Sequence, residues 1–300
     1  MSIALQLIAG IDGGGTTFKC GVATVDGHLL ASRRFPTTTP AATLAACADY
    51  FRSQCAEHGA PLSALGVACF GPLDVDPVSP DYGMILNSPK ALWRHARLRE
   101  PLAEALGTPV VVTTDVNGAL LAEQAWGAAR NVGCAAYITV GTGIGGAVTI
   151  DGRLVGAPRH QELGHIPVKR HPDHASFAAV CPIHGDCLEG LASAPAFTRA
   201  FGDPVSLDSQ HPSWEIEAFY LAQACLSLSL SFRTNRIILG GGLLLAPHLL
   251  DSVRKQYAAL QNGFLGETEA DIAAMIVRPA FGDDAGLMGG LALAMSALPA

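Results

Sequence analysis

Short apolar runs interrupted by glycine set the rhythm of this chain, and one such arrangement occurs twice. Residues 8–30 read IAGIDGGGTTFKCGVATVDGHLL: an apolar run enters a Gly/Thr-rich bend, a second apolar run leaves it, and Asp26-Gly27 closes a hairpin. Residues 136–155, AYITVGTGIGGAVTIDGRLV, do the same. Residues 21–30 superimpose without gaps on residues 146–155, so that Thr24 pairs with Thr149, Asp26 with Asp151, Gly27 with Gly152 and Leu29 with Leu154. The repetition predicts a duplicated α/β unit, with two glycine bends in equivalent places able to face one ligand across a cleft.

The rest of the pattern fits an alternation of helices and buried strands. Residues 41–58 carry Leu44, Cys47, Ala48, Phe51 and Cys55 at helical spacing and stop at Gly59, which predicts a helix. Residues 64–70 form a buried-strand pattern ended by Gly71-Pro72, a turn that can also bring backbone close to a ligand. Asn87-Ser88-Pro89-Lys90-Ala91-Leu92-Trp93 reads as a loop running into a short helix, residues 101–106 as helical, and residues 110–114, VVVTT, as a strand buried on both faces. A helix is expected over 119–126. Downstream come a long amphipathic helix over 214–232, a strand over 236–239 before Gly240-Gly241-Gly242, a helix over 247–261, a strand at 276–277 and a small-residue helix over 285–298. The expected division is a small α/β lobe of residues 1–118, on which the C-terminal helix of about 285–300 packs, and a larger α/β lobe of residues 119–300.

Composition narrows the function classes. With 300 residues, 49% hydrophobic and 15% charged, the chain can bury a large core and suits two lobes better than one. A net charge of −7, without any run of Lys or Arg, offers no basic face for nucleic acid. No stretch of about 18 apolar residues and no leader pattern is found, so a soluble cytosolic protein without membrane association is expected. Cys20, Cys47, Cys55, Cys69, Cys134 and Cys225 stand singly in apolar surroundings and read as small reduced core residues.

The candidate chemistry lies in the bends and in two polar clusters. A phosphate chain wants backbone N–H donors at close range, which glycine allows and side chains obstruct. Asp12-Gly13-Gly14-Gly15-Thr16-Thr17 and Gly141-Thr142-Gly143-Ile144-Gly145-Gly146 both offer this, with threonine hydroxyls as further donors. Neither is a Walker A loop, and the second is followed by a strand pattern rather than the helix of a dinucleotide fingerprint. Two such bends with an aspartate at the first fit nucleotide phosphates and a divalent cation. Asp115, with Asn117 two residues on, stands where the 110–114 strand meets the next helix. An N-cap would explain it, but a strand lying between the two bends makes the catalytic reading preferable. Cys181, His184 and Cys187 suit tetrahedral Zn²⁺, with His165, His171 and His174 all open as the fourth ligand.

Taken together these motifs resemble the ROK-family sugar kinases over essentially the whole chain. Asp12-x-Gly14-Gly15-Thr16, Gly71-Pro72, Asp115-x-Asn117, the 141–145 bend, Glu162-x-Gly164-His165, the Cys/His cluster running into Glu189, and Gly240-Gly241-Gly242 fall in that family's order. Pro89-Lys90-Ala91-Leu92-Trp93 and the spelling Cys-Pro-x-His-Gly-x-Cys make the chain most similar to the bacterial zinc-containing fructokinase branch.

The resemblance implies the two-lobed actin/hexokinase-like ATPase fold, built of duplicated ribonuclease H-like units around a cleft that closes on the sugar. It implies ATP-dependent phosphorylation of a hexose, most similar to fructokinases, with gluco-, manno- and N-acetylhexosamine kinases of the same family as alternatives. Asp12, Gly14, Gly15, Thr16, Thr17, Gly141, Thr142 and Gly143 would hold the phosphates of Mg²⁺·ATP, and Gly241, Gly242, Ala285 and Gly286 would flank the adenosine. Asp115 would be the general base, while Gly71, Pro72, Asn117, Glu162, His165 and Glu189 would face the sugar. His165 would complete a structural Zn²⁺ site with Cys181, His184 and Cys187 in the 165–187 loop, leaving His171 and His174 as solvated loop residues. Most of the family offers three thiolates there, and this chain offers two and His184. A homodimer is expected by the same likeness. A sugar-responsive repressor would need a DNA-binding segment ahead of the first bend, for which about ten residues leave no room, and a non-catalytic sugar sensor could dispense with Asp115 or a phosphate bend.

Overall fold

The computed structural model describes residues 6–88 and 90–298. Pro89 of the Pro-Lys-Ala-Leu-Trp motif, the first five residues, and the last two of the expected 285–300 helix lie outside the described residues. Two compact units emerge: residues 1–127, 156–160 and 281–300 in the first, and residues 128–155 and 161–280 in the second.

The first unit opens with three antiparallel strands, β1 (Leu7–Gly13), β2 (Thr17–Thr24) and β3 (Leu29–Pro36). Helix α1 (Pro40–His58) follows, started by Thr39, which accepts the Ala42 N–H, and stopped by Gly59 at φ 61. It crosses to β4 (Leu62–Cys69), parallel to β1, and α2 (Arg99–Leu106) leads to β5 (Val110–Thr114), parallel to β4. The resulting order is β3-β2-β1-β4-β5. One face buries Leu7, Ile11, Phe18, Val22, Leu65, Val67 and Val112 with Leu44, Cys47 and Phe51 of α1. Helix α3 (Asp115–Trp126) then begins four residues earlier than the pattern predicts, because Thr114 rather than Asp115 is the N-cap and accepts the Asn117 N–H at 3.3 Å.

The second unit repeats the plan. Strands β6 (Cys134–Val140), β7 (Ile144–Ile150) and β8 (Arg153–Leu154) are antiparallel. After α4 (Leu188–Ala192), α5 (Ala194–Phe201) and α6 (Ser213–Phe232), β9 (Arg236–Gly240) pairs parallel with β6; α7 (Leu249–Gln261) and α8 (Glu269–Met275) lead to β10 (Ile276–Val277), parallel to β9. The order β8-β7-β6-β9-β10 is that of the first sheet, strand for strand. Its core joins Ala136, Ile138, Val148, Ile237 and Leu239 to Leu221, Cys225 and Leu228 of α6.

The duplicated hairpins nonetheless turn differently. Asp151 and Gly152 both adopt positive φ, 48° and 78°, and make a two-residue turn between β7 and β8. In the first copy only Gly27 is positive, at 90°, and the chain needs residues 25–28 to turn, with the Thr24 N–H reaching the His28 carbonyl at 3.0 Å. Helix α8 was not expected from the pattern; its start is a capping box in which Thr268 and Asp271 satisfy each other's backbone N–H.

The last helix, α9 (Ala285–Ser296), belongs to the first unit. It lies on the face of β1 and β4 opposite α1, and glycine makes the approach possible. A Cβ on Gly66 would stand 2.0 Å from the Gly290 carbonyl oxygen, and one on Gly10 2.8 Å from the Leu291 nitrogen. Gly118 of α3 and Gly289 of α9 meet in the same way. The expected boundary at 118 therefore shifts, because α3 stays with the first unit by packing on α9.

Candidate active site and metal centre

The first glycine bend, between β1 and β2, is a tight loop held from within and from Thr37, the residue after β3. The Gly14 N–H bonds the Thr17 carbonyl at 2.9 Å, and Thr37 braces the bend twice, through its N–H to the Thr16 carbonyl at 2.9 Å and its hydroxyl to the Gly14 carbonyl at 2.8 Å. The N–H groups of Gly15 and Thr16 have no acceptor among the described residues. Two rigidly placed, open donors are what an anionic oxygen needs.

Asp12 stands at the end of β1 beside this bend. Cross-strand registry sets Lys19 opposite Asp12 and Arg34 opposite Lys19, so one row across three strands reads anion, cation, cation. Lys19 forms an ion pair with Asp284 at the start of α9. The Asp12 carboxylate lies against Gly286, where a Cβ would come within 2.4 Å of Asp12 Cγ. Burial pushes the Asp12 carboxyl up, Asp115 adds to this, Lys19 and Arg34 oppose it, Asp284 raises it again, and the balance is about 6. A carboxylate kept so reluctantly ionised is ready for a cation.

Asp115, the first residue of α3, accepts its own helix's Val116 N–H at 2.8 Å and keeps surface open to solvent. The surrounding protein raises its pKa, while the Val116 and Asp115 amides and, more weakly, His160 lower it. Asn117 is buried, and its amide Nδ2 donates to Thr113 Oγ1 at 3.1 Å. The Gly71-Pro72 peptide is cis, and beyond it Leu73, Asp74, Val75, Asp76, Ser79 and Leu86 line a cavity of about 380 Å³ with Pro158, Arg159 and His160.

In the second unit the bend between β6 and β7 has the Gly141 N–H bonded to the Gly143 carbonyl at 2.9 Å, leaving the N–H groups of Thr142 and Gly143 without an acceptor among the described residues. Glu189 is directed at this bend rather than away from it. Its Oε2 accepts the Ile144 N–H at 2.9 Å, and a Cβ on Gly143 would stand only 2.7 Å from the same oxygen. Ala194 adds an N–H to the Gly141 carbonyl at 2.9 Å, and Gly164 packs so close that a Cβ would lie 1.9 Å from the Ile144 oxygen. Gly241 closes onto the end of β6 with φ 93, while Gly242 begins a short 3₁₀ turn with open space around it. Glu162 is exposed, two residues before Gly164.

The metal cluster is assembled as the cysteine and histidine spacing implied, and of the three candidates for a fourth ligand it takes His165. One ligand atom each from His165, Cys181, His184 and Cys187 lie within 4.8 Å of one another. His165 Nδ1 is 3.6 Å from Cys187 Sγ and 4.0 Å from Cys181 Sγ, and His184 Nδ1 is 3.8 Å from Cys181 Sγ. Zn–S and Zn–N bonds of about 2.3 and 2.0 Å imply ligand separations near these values, so the donor set fits tetrahedral zinc. Burial raises the Cys181 thiol, but the His184 and Ile183 amides and the His184 ring outweigh it and bring it down to about 7. His174 is not the solvated residue that was expected: it is 4% exposed, stacks on Phe177 and Phe201, and shares a hydrogen bond with Tyr220.

Comparison with known proteins now decides the lineage. The pattern of the ROK family matches residues 8–297. The chain belongs to the ROK family. A fructokinase of Zymomonas mobilis is 42% identical over 293 residues, covering 96% of each chain. Among solved structures, a ROK hexokinase from Thermus thermophilus is 30% identical with a TM-score of 0.78, covering 96% of this chain and 97% of that one. A ROK family glucokinase from Streptomyces griseus, solved with glucose and AMPPNP, is 25% identical with a TM-score of 0.71, covering 97% and 99%.

In this ROK protein several residues near the first bend lie outside the motifs. Lys19, Arg34 and Asp284 set the charge around Asp12; strand registry reveals the first two and the ion pair with Lys19 the third. Lys90 belongs to the Pro-Lys-Ala-Leu-Trp motif, and its side chain lies over the first bend, where a Cβ on Gly15 would meet Lys90 Cε at 2.7 Å.

Proposed function

We propose that this ROK-family chain is a fructokinase, transferring the terminal phosphoryl group of ATP to a hydroxyl of fructose. The observation that carries the reading is Asp115, a carboxylate fixed by a strand end and a helix start, solvent-accessible, and in the same unit as a glycine bend with open N–H donors. The name of the Zymomonas mobilis relative, at 42% identity over nearly the full length, supports fructose as the acceptor.

In this reading Asp115 accepts the proton of the attacking sugar hydroxyl. Asn117, Glu162, His165, Glu189 and the Gly71-Pro72 turn orient the sugar. Gly14, Gly15, Thr16 and Thr17 of the first unit, and Gly141, Thr142 and Gly143 of the second, hold phosphate oxygens through amides and hydroxyls. Gly241, Gly242, Ala285 and Gly286 flank the adenosine. Asp12 would hold Mg²⁺, which would supply charge neutralisation on the transferring phosphoryl group. His165, Cys181, His184 and Cys187 hold a zinc ion whose chemistry is structural, since all four positions are protein ligands. No helix among the described residues is long and apolar enough to cross a membrane. Eight free cysteines suit the reducing cytosol, where ATP is also at hand. A homodimer goes with the same reading and is open to sedimentation.

ADP release measured over fructose, mannose, glucose and N-acetylated hexosamines tests the acceptor. Asp115→Asn is expected to keep sugar binding and lose about 10²–10⁴-fold in kcat. Equal turnover by that variant and the unaltered chain would refute the assignment of the base.

A further inference from the structure

The geometry points to Lys90 as a phosphate-contacting residue: its ammonium joins the Gly15 and Thr16 amides in holding the phosphoryl group that is transferred. The inference rests on the kinase reading above and extends it to a residue given no part there.

Three observations converge on the side chain. First, Lys90 is set over the first bend itself. From the position a Cβ on Gly15 would take, Lys90 Cε is 2.7 Å away and Nζ 3.6 Å, so glycine at 15 is what lets the chain lie there. Second, the ammonium is unspent. Among the described residues Lys90 makes no ion pair and its side chain no hydrogen bond, whereas Lys19, which follows the bend in β2, is already held by Asp284. Third, the backbone that presents it is fixed on both sides. The Lys90 N–H donates to Ser88 Oγ at 3.2 Å, with Ser88 fully buried, and the Arg94 guanidinium ties the Ser88 carbonyl at 2.8 Å. On the other side the Trp93 N–H returns to the Lys90 carbonyl at 2.9 Å, and the Trp93 indole, 2% exposed, stacks on Phe18 and donates to the Thr38 carbonyl at 2.8 Å. Phe18 is itself in β2, at the exit of the bend, so the segment carrying Lys90 and the bend are built on one cluster.

A flexible lysine held by its backbone over two unsatisfied amides forms an anion site of three donors. Phosphoryl transfer spreads charge over the equatorial oxygens of the group in flight, and a fixed cation there lowers the barrier. Nucleotide diphosphate lacks that group. Lys90 therefore separates triphosphate from diphosphate, which a residue merely supporting the bend would not do.

The test compares the unaltered chain with Lys90→Met and Lys90→Arg, in the zinc-loaded protein, by calorimetric binding of AMPPNP and of ADP and by steady-state kinetics on fructose. Lys90→Met is expected to lose roughly a hundredfold in kcat, to bind AMPPNP several-fold more weakly, and to bind ADP and fructose as before; Lys90→Arg is expected to recover a large part of both losses. Equal weakening of AMPPNP and ADP would make Lys90 a prop for the bend and overturn the proposal. So would unchanged kcat, or a defect confined to the KM for fructose. Should Lys90→Met fail to fold, Lys90→Gln takes its place: its AMPPNP-to-ADP affinity ratio is expected to fall while ADP binding holds, and an unshifted ratio overturns the proposal. If the unaltered chain bound AMPPNP but released no ADP with any sugar, the kinase reading would fall, and the same affinity ratio would still judge Lys90.

Discussion

Asp12 illustrates how much of the site is electrostatic balance at single residues. Its carboxyl stands at about 6, raised by burial and Asp115 against the pull of Lys19 and Arg34. The ionised form is the one that can hold a cation, so activity should fall as pH drops through about 6, giving a one-proton acid limb in kcat/KM for ATP. Lys19→Met removes a lowering cation and should move that limb to higher pH; an unmoved limb would dissociate it from Asp12. Stability runs the other way. A carboxyl raised from 3.8 contributes stability that is full below the unfolded value and lost as pH rises through about 6. Glu217 of α6 carries the same sign without a function to explain it. It is 1% exposed, its Oε1 has no hydrogen-bond partner, and burial holds its carboxyl well above the ordinary range. Glu217→Gln should therefore raise Tm more at pH 8 than at pH 5, at about 2–4 °C for each kcal/mol recovered, and scanning calorimetry at the two pH values checks it. Neither effect was legible in the sequence: aspartate at the first bend was, but the row of Lys19 and Arg34 needs strand registry, and Glu217 sits in a helix whose apolar pattern gives no hint of a buried acid.

At the level of elements, the zinc loop and the second glycine bend behave as one piece of structure. Cys187 caps α4, accepting the Gly190 N–H at 3.4 Å, and two residues later Glu189 accepts the Ile144 N–H. A ligand of the metal and a brace of the bend thus lie on the same helical turn. Chelation of the metal should accordingly quicken amide exchange not only in residues 161–190 but also at Ile144 and its neighbours, and Glu189→Ala should reproduce the second effect alone. Protected bend amides in both cases would show that the brace is idle. The motif spacing singled out Cys181, His184 and Cys187 as candidate metal ligands because clustered thiols and imidazole are nearly unique to such sites, while the fourth, His165, followed from the family resemblance; it revealed both bends because glycine there is demanded by close approach. It missed the link between them because a carboxylate used as a backbone acceptor looks in sequence like any other glutamate. The start of α3 was missed for a related reason: threonine and aspartate both cap helices, and only φ and ψ decide which of Thr114 and Asp115 does so.

For the whole molecule, the repeat in the sequence foretold a duplicated α/β unit, and the two sheets share one strand order, yet the repeat could not tell where the chain would cross from one unit to the other. That depends on α9, whose small residues give no amphipathic signature but match the glycines of β1 and β4. The first unit is consequently built from both ends of the chain, whereas the core of the second lies wholly between Cys134 and Ile276. A chain ended at Ala280 would leave Gly10 and Gly66 facing an empty groove and would remove Leu287 and Leu291, both fully buried. Two buried leucines are worth about 1.5–3 kcal/mol each, a large part of the roughly 5–15 kcal/mol that holds a domain together. The shortened chain should then keep slow hydrogen exchange in β6 and β9 and lose it in β1 and β4, while still retaining one zinc per chain. Equal protection of β1 and β4 with and without residues 281–300 would mean that the first unit holds its sheet without α9, and that the glycines at 10, 66 and 290 serve some purpose other than this packing.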